Sequence, residues 1–487
     1  MGMLLNIFQI CFVCLSYSFG EEINLYGDAG EAYAIEVYIG HPHQKFKLLI
    51  DTGSTTLALA SYARNDSDKY FHANNSSSLY NSGHSIQAAY TQGTWTGLLA
   101  SDFIQFPSLT DIPEVRSDFA LITDSHDFFT KASGWQGLLG LAYLPVGAWG
   151  AKSGSVESWL DALDRNVNKP MSFHLKLCGP ISTTNTTHYG YFKFVDDRTP
   201  NPNTNNTFRT PVLRQRWYEV GVISIRVISS ETPDTKEVLV EDKVKDPDED
   251  MCVSLNKVKS IVDSGTTQIK LPDELFRQVV DELKNEFRKS QVLILDEFWN
   301  RREAACWPEP QVWTLPWLAI DLLSADADNQ YFTLEIPPQN YMLVVGVHNS
   351  SDTTGTVSTY CYKLGLDSGG EETVVGYTAM EGLQVTFNRS AGWIGFQTSD
   401  CGSNARITGP YNVSFSLKST CQLLKPVTET ATSIKAAQWS LCVISLIALG
   451  VILYLLAPCF KSFFVRRMPR SQQISLSQAA LVEEESS

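Results

Sequence analysis

The sequence predicts a mainly β protein with a few minor helices, built as two related halves and followed by one C-terminal transmembrane helix. Three observations predict this class. Apolar and polar residues alternate over short stretches that glycine, proline or asparagine separates. Two similar segments begin at positions 48 and 260, and an apolar run without any charge covers residues 436–460. With 487 residues, 43% of them hydrophobic, the chain can bury the cores of two or three domains.

The strand pattern is clearest ahead of Asp51. Apolar residues alternate from Tyr33 to Ile39, residues 40–43 have the composition of a turn, and a second apolar stretch runs up to Asp51. We therefore expect a β-hairpin that leads into this aspartate. Two other segments, 156–163 and 275–287, have apolar residues at helical spacing, and they predict the minor helices.

The two chain ends predict a type I membrane protein. Residues 1–20 have the apolar stretch and the small residues near a cleavage point that are typical of a signal peptide. Residues 436–460 exceed the ~20 helical residues needed to cross a bilayer. Basic residues follow this run, which predicts a cytoplasmic tail at 461–487, and 422–435 resembles a stalk. A glycolipid anchor would require removal of the run, and the polar tail behind it argues against that.

Cysteines and glycosylation sequons fit a main body outside the cytoplasm. Six cysteines lie between the predicted signal peptide and the stalk end, and spacing alone leaves 15 pairings open for three disulfides. Sequons also occur only in this part of the chain. We expect N-glycosylation at Asn65, Asn74, Asn75, Asn185, Asn205, Asn349, Asn388 and Asn412.

The two similar segments carry the candidate catalytic chemistry. Leu48–Thr55 and Ser260–Thr267 each place an Asp, a hydroxyl residue and a Gly directly after an apolar strand. Each is followed later by two apolar residues and a glycine, at 138–140 and 374–376, which predicts a duplicated lobe. The glycines allow a sharp turn. The neighbouring hydroxyls can orient the carboxylates, and they belong to Thr52, Ser54, Ser264 and Thr266.

Paired aspartates can hydrolyse a peptide bond without a metal or cofactor. One ionised carboxylate takes a proton from water, and one protonated carboxyl polarises the scissile carbonyl. Two aspartates ~3 Å apart supply both forms, because like charges that close cannot both ionise. We predict that Asp51 and Asp263 form this pair. A third Asp-Ser-Gly, at 367–369, lacks the entering apolar strand and is interpreted as a turn.

These motifs resemble those of the pepsin family, and within it those of the membrane-bound beta-secretases. The resemblance covers nearly all of the chain from Tyr33 to Cys421, and its specific motifs lie at 51–55, 90–95, 135–143 and 263–272. It implies a bilobal pepsin-like aspartic protease fold, with an N-terminal lobe at 21–190 and a C-terminal lobe at 191–421. Residues 90–95 resemble the flap, a hairpin that closes over the substrate.

The same resemblance implies further residue roles. Trp95 would support the flap tyrosine. The cysteine order resembles that of the beta-secretases and implies the pairs Cys178–Cys401, Cys252–Cys421 and Cys306–Cys361. Nine residues would contact substrate, namely Gly53, Tyr90, Thr91, Gln92, Trp135, Gly265, Thr266, Thr267 and Lys270.

The predicted function is that of an aspartic endopeptidase acting at acidic pH on polypeptides, among them the ectodomains of type I membrane proteins. Its lobes would face the lumen of the Golgi or endosome or the cell exterior, with the lipid bilayer as partner. The formal net charge of −15 argues against a nucleic-acid partner. The alternative is a non-catalytic, membrane-anchored receptor that binds peptides in the same cleft, which loss of either aspartate or of Tyr90 would favour.

Two histidines flank Pro42 and offer a pair of metal ligands. His41 and His43 lie in the predicted hairpin turn with no further ligand nearby, so we interpret them as turn residues. The sequence therefore predicts no metal site.

Overall fold

The computed structural model describes residues 22–28, 33–63, 69–90, 93–109, 112–129, 134–143, 156–180, 186–195, 206–215, 217–229, 248–289, 294–307, 315–352, 355–423, 440–441 and 443–456. The chain falls into two compact units, Met1–Leu424 and Lys425–Ser487. The predicted signal peptide, nearly all of the stalk and the cytoplasmic tail lie outside the described residues.

Strands are the main secondary structure in the described part of the first unit. In chain order, strands β1 to β26 of the described residues are Ile23–Asp28, Ala34–Ile39, Gln44–Asp51, Ala58–Ala60, Tyr80–Ala89, Thr94–Gln105, Val115–His126, Gly137–Gly140, Ser172–Pro180, Thr187–Val195, Phe208–Pro211, Arg214–Gln215, Tyr218–Glu219, Val222–Ile228, Ser260–Asp263, Ile269–Leu271, Ala305–Trp307, Trp317–Leu323, Gln330–Ile336, Met342–Asp352, Gly355–Leu364, Leu366–Ser368, Thr373–Gly376, Leu383–Asn388, Trp393–Thr398 and Arg406–Asn412.

The helices are few, which confirms the predicted mainly β class. Helices α1 to α6 of the first unit are Trp159–Val167, Glu249–Leu255, Asp273–Lys289, Asp296–Trp299, Pro338–Tyr341 and Leu417–Thr420. The predicted helices correspond to α1 and α3. Helix α1 begins after Ser158, whose Oγ accepts a hydrogen bond from the Asp161 amide at 3.1 Å and so caps the helix. The apolar spacing predicted that Val156 belongs to this helix, but Val156 lies before its first residue.

The predicted hairpin ahead of Asp51 is confirmed. Strands β2 and β3 pair antiparallel and Ile39 lies opposite Gln44, so residues 40–43 connect them. On β3, Phe46, Leu48 and Ile50 are buried, while Lys47 is exposed and Leu49 is only partly buried. This alternation fixes which face of the strand meets the core, because a shift by one residue would expose the whole apolar set.

The predicted internal repeat is present in the strand pairing. Strand β3 runs parallel to β8 with Asp51 opposite Gly140, and β15 runs parallel to β23 with Asp263 opposite Gly376. The strand that follows each aspartate pairs antiparallel with the same neighbour. Strand β4 pairs with β8, and β16 pairs with β23. A side chain at Gly140 would come within 2.4 Å of the Thr55 backbone, so glycine is required there. Each aspartate is thus the last residue of a buried central strand.

A shared sheet joins the two halves. Strand β24 pairs with β9, β9 pairs with β10, and β10 pairs with β1. The Phe173 ring stacks on Phe192 at 5.4 Å and on Phe387 at 5.0 Å, so residues far apart in sequence share one core. Strand β10 continues from Thr187 to Val195 through the predicted lobe boundary at 190. The junction is therefore a strand and not a linker.

The disulfide pairing that the resemblance implied is confirmed. The three bonds join Cys178 to Cys401, Cys252 to Cys421 and Cys306 to Cys361. Their sequence separations are 223, 169 and 55 residues. Closing loops of this length favours the folded state by about 3–5 kcal/mol per bond in the chain-entropy account.

The C-terminal end of the first unit is packed. Leu423 is buried against Ile223 and Leu323, and its amide donates to the Lys418 carbonyl at 3.0 Å. This leucine, which lies in the predicted stalk at 422–435, completes an apolar cluster. In the second unit, residues 440–441 and 443–456 are helical. Within the described ranges, no helix combines the length and the apolar character that crossing a membrane requires.

The described sequons differ in accessibility. Asn74, Asn75 and Asn412 are exposed. Asn388 is buried, and its Oδ1 accepts hydrogen bonds from Ser390 Oγ at 3.1 Å and from the Ala391 amide at 2.7 Å. Burial at Asn388 argues against a glycan there, because the sugar would displace packed chain. Asn65, Asn185, Asn205 and the Asn349 side chain lie outside the described parts.

Candidate active site

The ends of β3 and β15 are tied together by four buried hydrogen bonds. The Thr52 amide donates to Ser264 Oγ at 3.1 Å, and the Ser264 amide donates to Thr52 Oγ1 at 2.9 Å. The two hydroxyls then donate onward to the carbonyls of Val262, at 3.0 Å, and Ile50, at 2.8 Å. The sequence predicted that these hydroxyls would orient the carboxylates. They bind the opposite backbone instead, and so they fix the spacing of the two strand ends.

Each aspartate is oriented by its own loop. Asp51 Oδ1 accepts from the Gly53 amide at 2.8 Å, and its Oδ2 accepts from the Ser54 hydroxyl. Asp263 has the same pair of donors, the amide two residues later at 2.8 Å and the Thr266 hydroxyl three residues later at 2.7 Å. The predicted orienting role of Ser54 and Thr266 agrees with these contacts.

The two carboxylates face each other across two glycines. A Cβ atom at Gly53 would lie 2.5 Å from Asp263 Oδ2, and one at Gly265 would lie 2.4 Å from Asp51 Oδ1. Any side chain at either position would therefore push the opposite carboxylate away. Glycine is required here because of this close approach, in addition to the turn that the sequence suggested.

The pair is buried and carries an unusual proton affinity. Asp51 is 7% exposed and Asp263 is 8% exposed. Burial, followed by the negative charge of Asp263, raises the pKa of Asp51 well above the usual aspartate value, against the hydrogen bonds from Ser54 and Gly53. The pair therefore holds a proton at pH values where an isolated aspartate would be ionised.

The β5–β6 hairpin lies over one side of the pair. The Tyr90 amide donates to the Gly93 carbonyl at 3.0 Å, and the Tyr90 ring lies 5.5 Å from the Phe128 ring. Burial, and then the charge of Asp51, raises the pKa of the Tyr90 phenol, so this group stays protonated. Trp95 is buried in the same apolar cluster. The predicted contacts Thr91 and Gln92 lie outside the described residues.

A cleft of 1140 Å³ contains the predicted substrate residues that the structure describes. Both aspartates line it. Trp135 forms an aromatic wall with Phe128, at 5.7 Å between ring centres, and with Phe129, at 5.0 Å. The other predicted lining residues are Gly53, Tyr90, Gly265, Thr266, Thr267 and Lys270. The fold thus brings together residues from four separate sequence motifs.

Comparison with known proteins identifies this arrangement. The family profile described as eukaryotic aspartyl protease matches residues 32–399. The chain belongs to the eukaryotic aspartyl protease family. Beta-secretase of Strongylocentrotus purpuratus is 30% identical over 423 residues, which cover 81% of this chain and 73% of that protein. The predicted beta-secretase-like branch and the predicted aspartic endopeptidase activity are therefore confirmed.

Shorter similarities link this aspartyl protease to other members of the family. Pepsin A-5 of Mus musculus is 30% identical over 131 residues, or 26% of this chain and 33% of that protein. Vacuolar protease A of Aspergillus fumigatus is 25% identical over 252 residues, or 50% of this chain and 54% of that protein. The similarity to the beta-secretase is thus the most extensive of the three.

Several cleft residues of this aspartyl protease escaped the sequence prediction. Phe128, Trp217, Lys259 and Arg301 also line the cleft. Lys259 Nζ lies 4.9 Å from the centre of the Trp217 ring, which places a cation on an aromatic face. These residues come from separate segments without a motif of their own, so only the fold could reveal them.

The third Asp-Ser-Gly contributes to the cleft indirectly, and its interpretation as a turn was wrong. Asp367 and Ser368 end strand β22, which pairs parallel with β16 because Leu366 continues the buried apolar run. Asp367 Oδ2 accepts from Arg301 Nη1 at 2.8 Å. Burial lowers the pKa of the nearby Lys270 ammonium group, against the opposing charges of Asp367 and Asp263.

Proposed function

We propose that Asp51 and Asp263 are the catalytic pair of this aspartic endopeptidase, and that they activate water at acidic pH. The observation that carries the proposal is the matched placement of two buried carboxylates, each with an amide donor and a hydroxyl donor, facing each other across Gly53 and Gly265. This is the arrangement that lets two carboxylates share one proton.

The reaction follows from the shared proton. The ionised carboxylate removes a proton from a water molecule, and the resulting hydroxide attacks the scissile carbonyl carbon. The protonated carboxyl donates its proton to the carbonyl oxygen, which gives a tetrahedral gem-diol. The carboxyl that took the water proton then donates it to the amide nitrogen, while the other carboxylate, now ionised, takes a proton from one gem-diol hydroxyl. The C–N bond breaks and releases a carboxylic acid and an amine. The carboxylates end with one proton between them, so the cycle closes without any other group.

The cleft supports an extended polypeptide as substrate. Its volume of 1140 Å³ exceeds that of pockets for drug-sized ligands, which reach about 1000 Å³. Phe128 and Trp135 form an aromatic side, and Lys270 and Arg301 form a basic side. Tyr90, with Thr91 and Gln92 of the same hairpin, would cover the bound peptide and exclude water. In the proposed division into lobes at 21–190 and 191–421, Asp51 belongs to the first lobe and Asp263 to the second.

We further infer a type I membrane anchor at 436–460. The described helical part of this run exposes its large apolar side chains, among them Leu446 at 68% and Leu455 at 66%, and such a surface requires an apolar surrounding. The basic residues that follow favour a cytoplasmic tail. The catalytic lobes would then act in the Golgi, in endosomes or at the plasma membrane. Ectodomains of type I membrane proteins would be substrates, because the anchor holds enzyme and substrate at one surface.

The catalytic assignment can be tested on the full chain purified in detergent. Hydrolysis of a fluorogenic peptide library at acidic pH is expected to fall by at least about 10²–10⁴-fold for Asp51→Asn and for Asp263→Asn. Asp326→Asn is the matched control, because it makes the same change at an aspartate that is 58% exposed and does not line the cleft. Activity near that of the wild type in either pair variant would remove the assignment.

A further inference from the structure

The hairpin turn before Asp51 contains a cluster that sequence analysis dismissed. His41 and His43 lie in the β2–β3 connection, and the chain just ahead of β7 brings Glu114 beside them. Glu114 Oε1 lies 3.4 Å from His41 Nε2 and 3.9 Å from His43 Nδ1. One ligand atom of each residue lies within 4.8 Å of the others. The expectation that no further ligand lies near the histidines was wrong, since the fold supplies one from a distant segment.

The two imidazoles are oriented by packing. The His41 ring lies against Phe103 at 5.1 Å, and the His43 ring stacks on Tyr38 at 5.7 Å with an interplanar angle of 19°. The backbone of the turn is fixed as well, because the His41 amide donates to Ser76 Oγ at 3.1 Å. The histidines are therefore presented by a rigid connection.

Within the described part of the chain, Glu114 presents an unpaired carboxylate oxygen to this cluster. Its Oε1 atom, which is the one that faces both imidazoles, is buried and has no hydrogen-bond partner among the described residues. A buried carboxylate oxygen without a donor is costly. A cation between the three side chains would satisfy it.

We propose that His41, His43 and Glu114 bind a divalent transition-metal ion, with Zn²⁺ as the best-suited ion. Zinc binds imidazole nitrogen and carboxylate oxygen at about 2.0–2.2 Å, so tetrahedral ligand atoms lie about 3.4 Å apart. Two of the observed separations, 3.4 and 3.9 Å, are close to this value, and small side-chain rotations close the rest. The side chains are 40%, 36% and 27% exposed, which leaves room for water as a fourth ligand. Calcium and magnesium prefer all-oxygen sites and are not expected here.

The proposed ion would act as a structural brace. It would join the β2–β3 connection to the chain entering β7, and none of its three ligands lines the cleft. Peptide hydrolysis should therefore not require it. An ion that binds only the folded chain raises the melting temperature by mass action. The alternative is a simple ion pair between Glu114 and a protonated histidine, which would need no metal.

The experiment uses the untagged full chain in detergent, stripped with a chelator and titrated with ZnCl₂ at about pH 7.5, because protons compete with zinc for its ligands at lower pH. Calorimetry is expected to give one zinc site, and Zn²⁺ but not Ca²⁺ is expected to raise the melting temperature. Changes to residues that only hydrogen-bond to a zinc ligand already weaken zinc binding about 10–100-fold, so Glu114→Gln and His43→Gln should each weaken it at least about tenfold.

His84→Gln is the matched control, because His84 is an exposed histidine on β5 of the same lobe. Retained peptide hydrolysis shows that each variant is folded. The proposal is overturned if the wild type binds no Zn²⁺ under these conditions, or if Glu114→Gln and His43→Gln bind it as tightly as the wild type. Equal losses in His84→Gln would also overturn it. Loss of zinc binding in the two ligand variants alone, with hydrolysis retained, supports it.

Discussion

The hydrogen bonds between the two strand ends give the most direct test of how the fold serves the chemistry. Thr52→Val keeps the side-chain shape and removes only the hydroxyl. That hydroxyl accepts from the Ser264 amide and donates to the Val262 carbonyl, and all three residues are buried. A hydrogen bond contributes about 1 kcal/mol, and a buried group left without its partner costs about 1–3 kcal/mol. We therefore expect Thr52→Val to lower the free energy of unfolding by about 2–4 kcal/mol.

Activity should fall together with stability in this variant. The hydroxyl sets the spacing of the two strand ends, and a misplacement of ~1 Å in an active site can cost about 10²-fold in rate. Thr52→Ser retains the hydroxyl and is the matched control. Ser264→Ala removes the symmetry-related pair of bonds, to the Thr52 amide and the Ile50 carbonyl, and should have a similar effect.

Thermal melting and peptide hydrolysis of the full chain measure the two effects. With about 2–4 °C per kcal/mol, as for domains of about 150–250 residues, the melting temperature should fall by about 4–16 °C in Thr52→Val. It should change little in Thr52→Ser. If Thr52→Val melts and cleaves like Thr52→Ser, the bonds between the strand ends neither stabilise the lobes nor position the pair, and the reasoning is refuted.

Three further predictions follow from the aspartate pair and the anchor. The rate of hydrolysis should be bell-shaped in pH with an acidic optimum, since the pair needs one proton, and an alkaline optimum would contradict this. The pKa of Asp51 is raised in the folded state. Its contribution to stability is therefore complete below its unfolded-state pKa of about 3.9, and this contribution is lost as the pH rises through its folded-state pKa. The melting temperature of Asp51→Asn minus that of the wild type should therefore increase from about pH 3 to pH 7. If this difference stays the same over that range, the raised pKa is contradicted. A C-terminal tag should resist protease added outside intact cells, and its digestion would reverse the proposed topology.

The parts of the site that sequence could predict are those that local chemistry determines. The pattern of an apolar strand, an aspartate, and then glycine and hydroxyl residues predicts that the aspartate ends the strand. Asp51 and Asp263 are both found at strand ends. The hairpin from Tyr33 to Asp51 followed from alternation alone. The disulfides show the limit of such reasoning, because cysteine spacing left 15 pairings open and only the resemblance to a family selected one.

The parts that sequence could not predict depend on contacts between distant segments. Glu114 lies far from His41 along the chain, and Phe128 and Arg301 reach the cleft from loops without a motif. A sequon is recognised from three residues and carries no information on burial, so the packed Asn388 was counted with the exposed ones. In each case the sequence shows what the residue can do, while tertiary packing decides which partner it meets.

The duplicated frame raises the question of how two equivalent aspartates come to play unequal roles. Their backbones and their donors match, so the frame by itself gives neither one preference for the proton. The surroundings differ. Asp51 lies beneath the neutral Tyr90 phenol, whereas Asp263 interacts with the positive charge of Lys270 from its own half of the chain. A phenol on one side and a cation on the other make the surroundings of the duplicated frame asymmetric, and hydrolysis through a shared proton requires such an asymmetry.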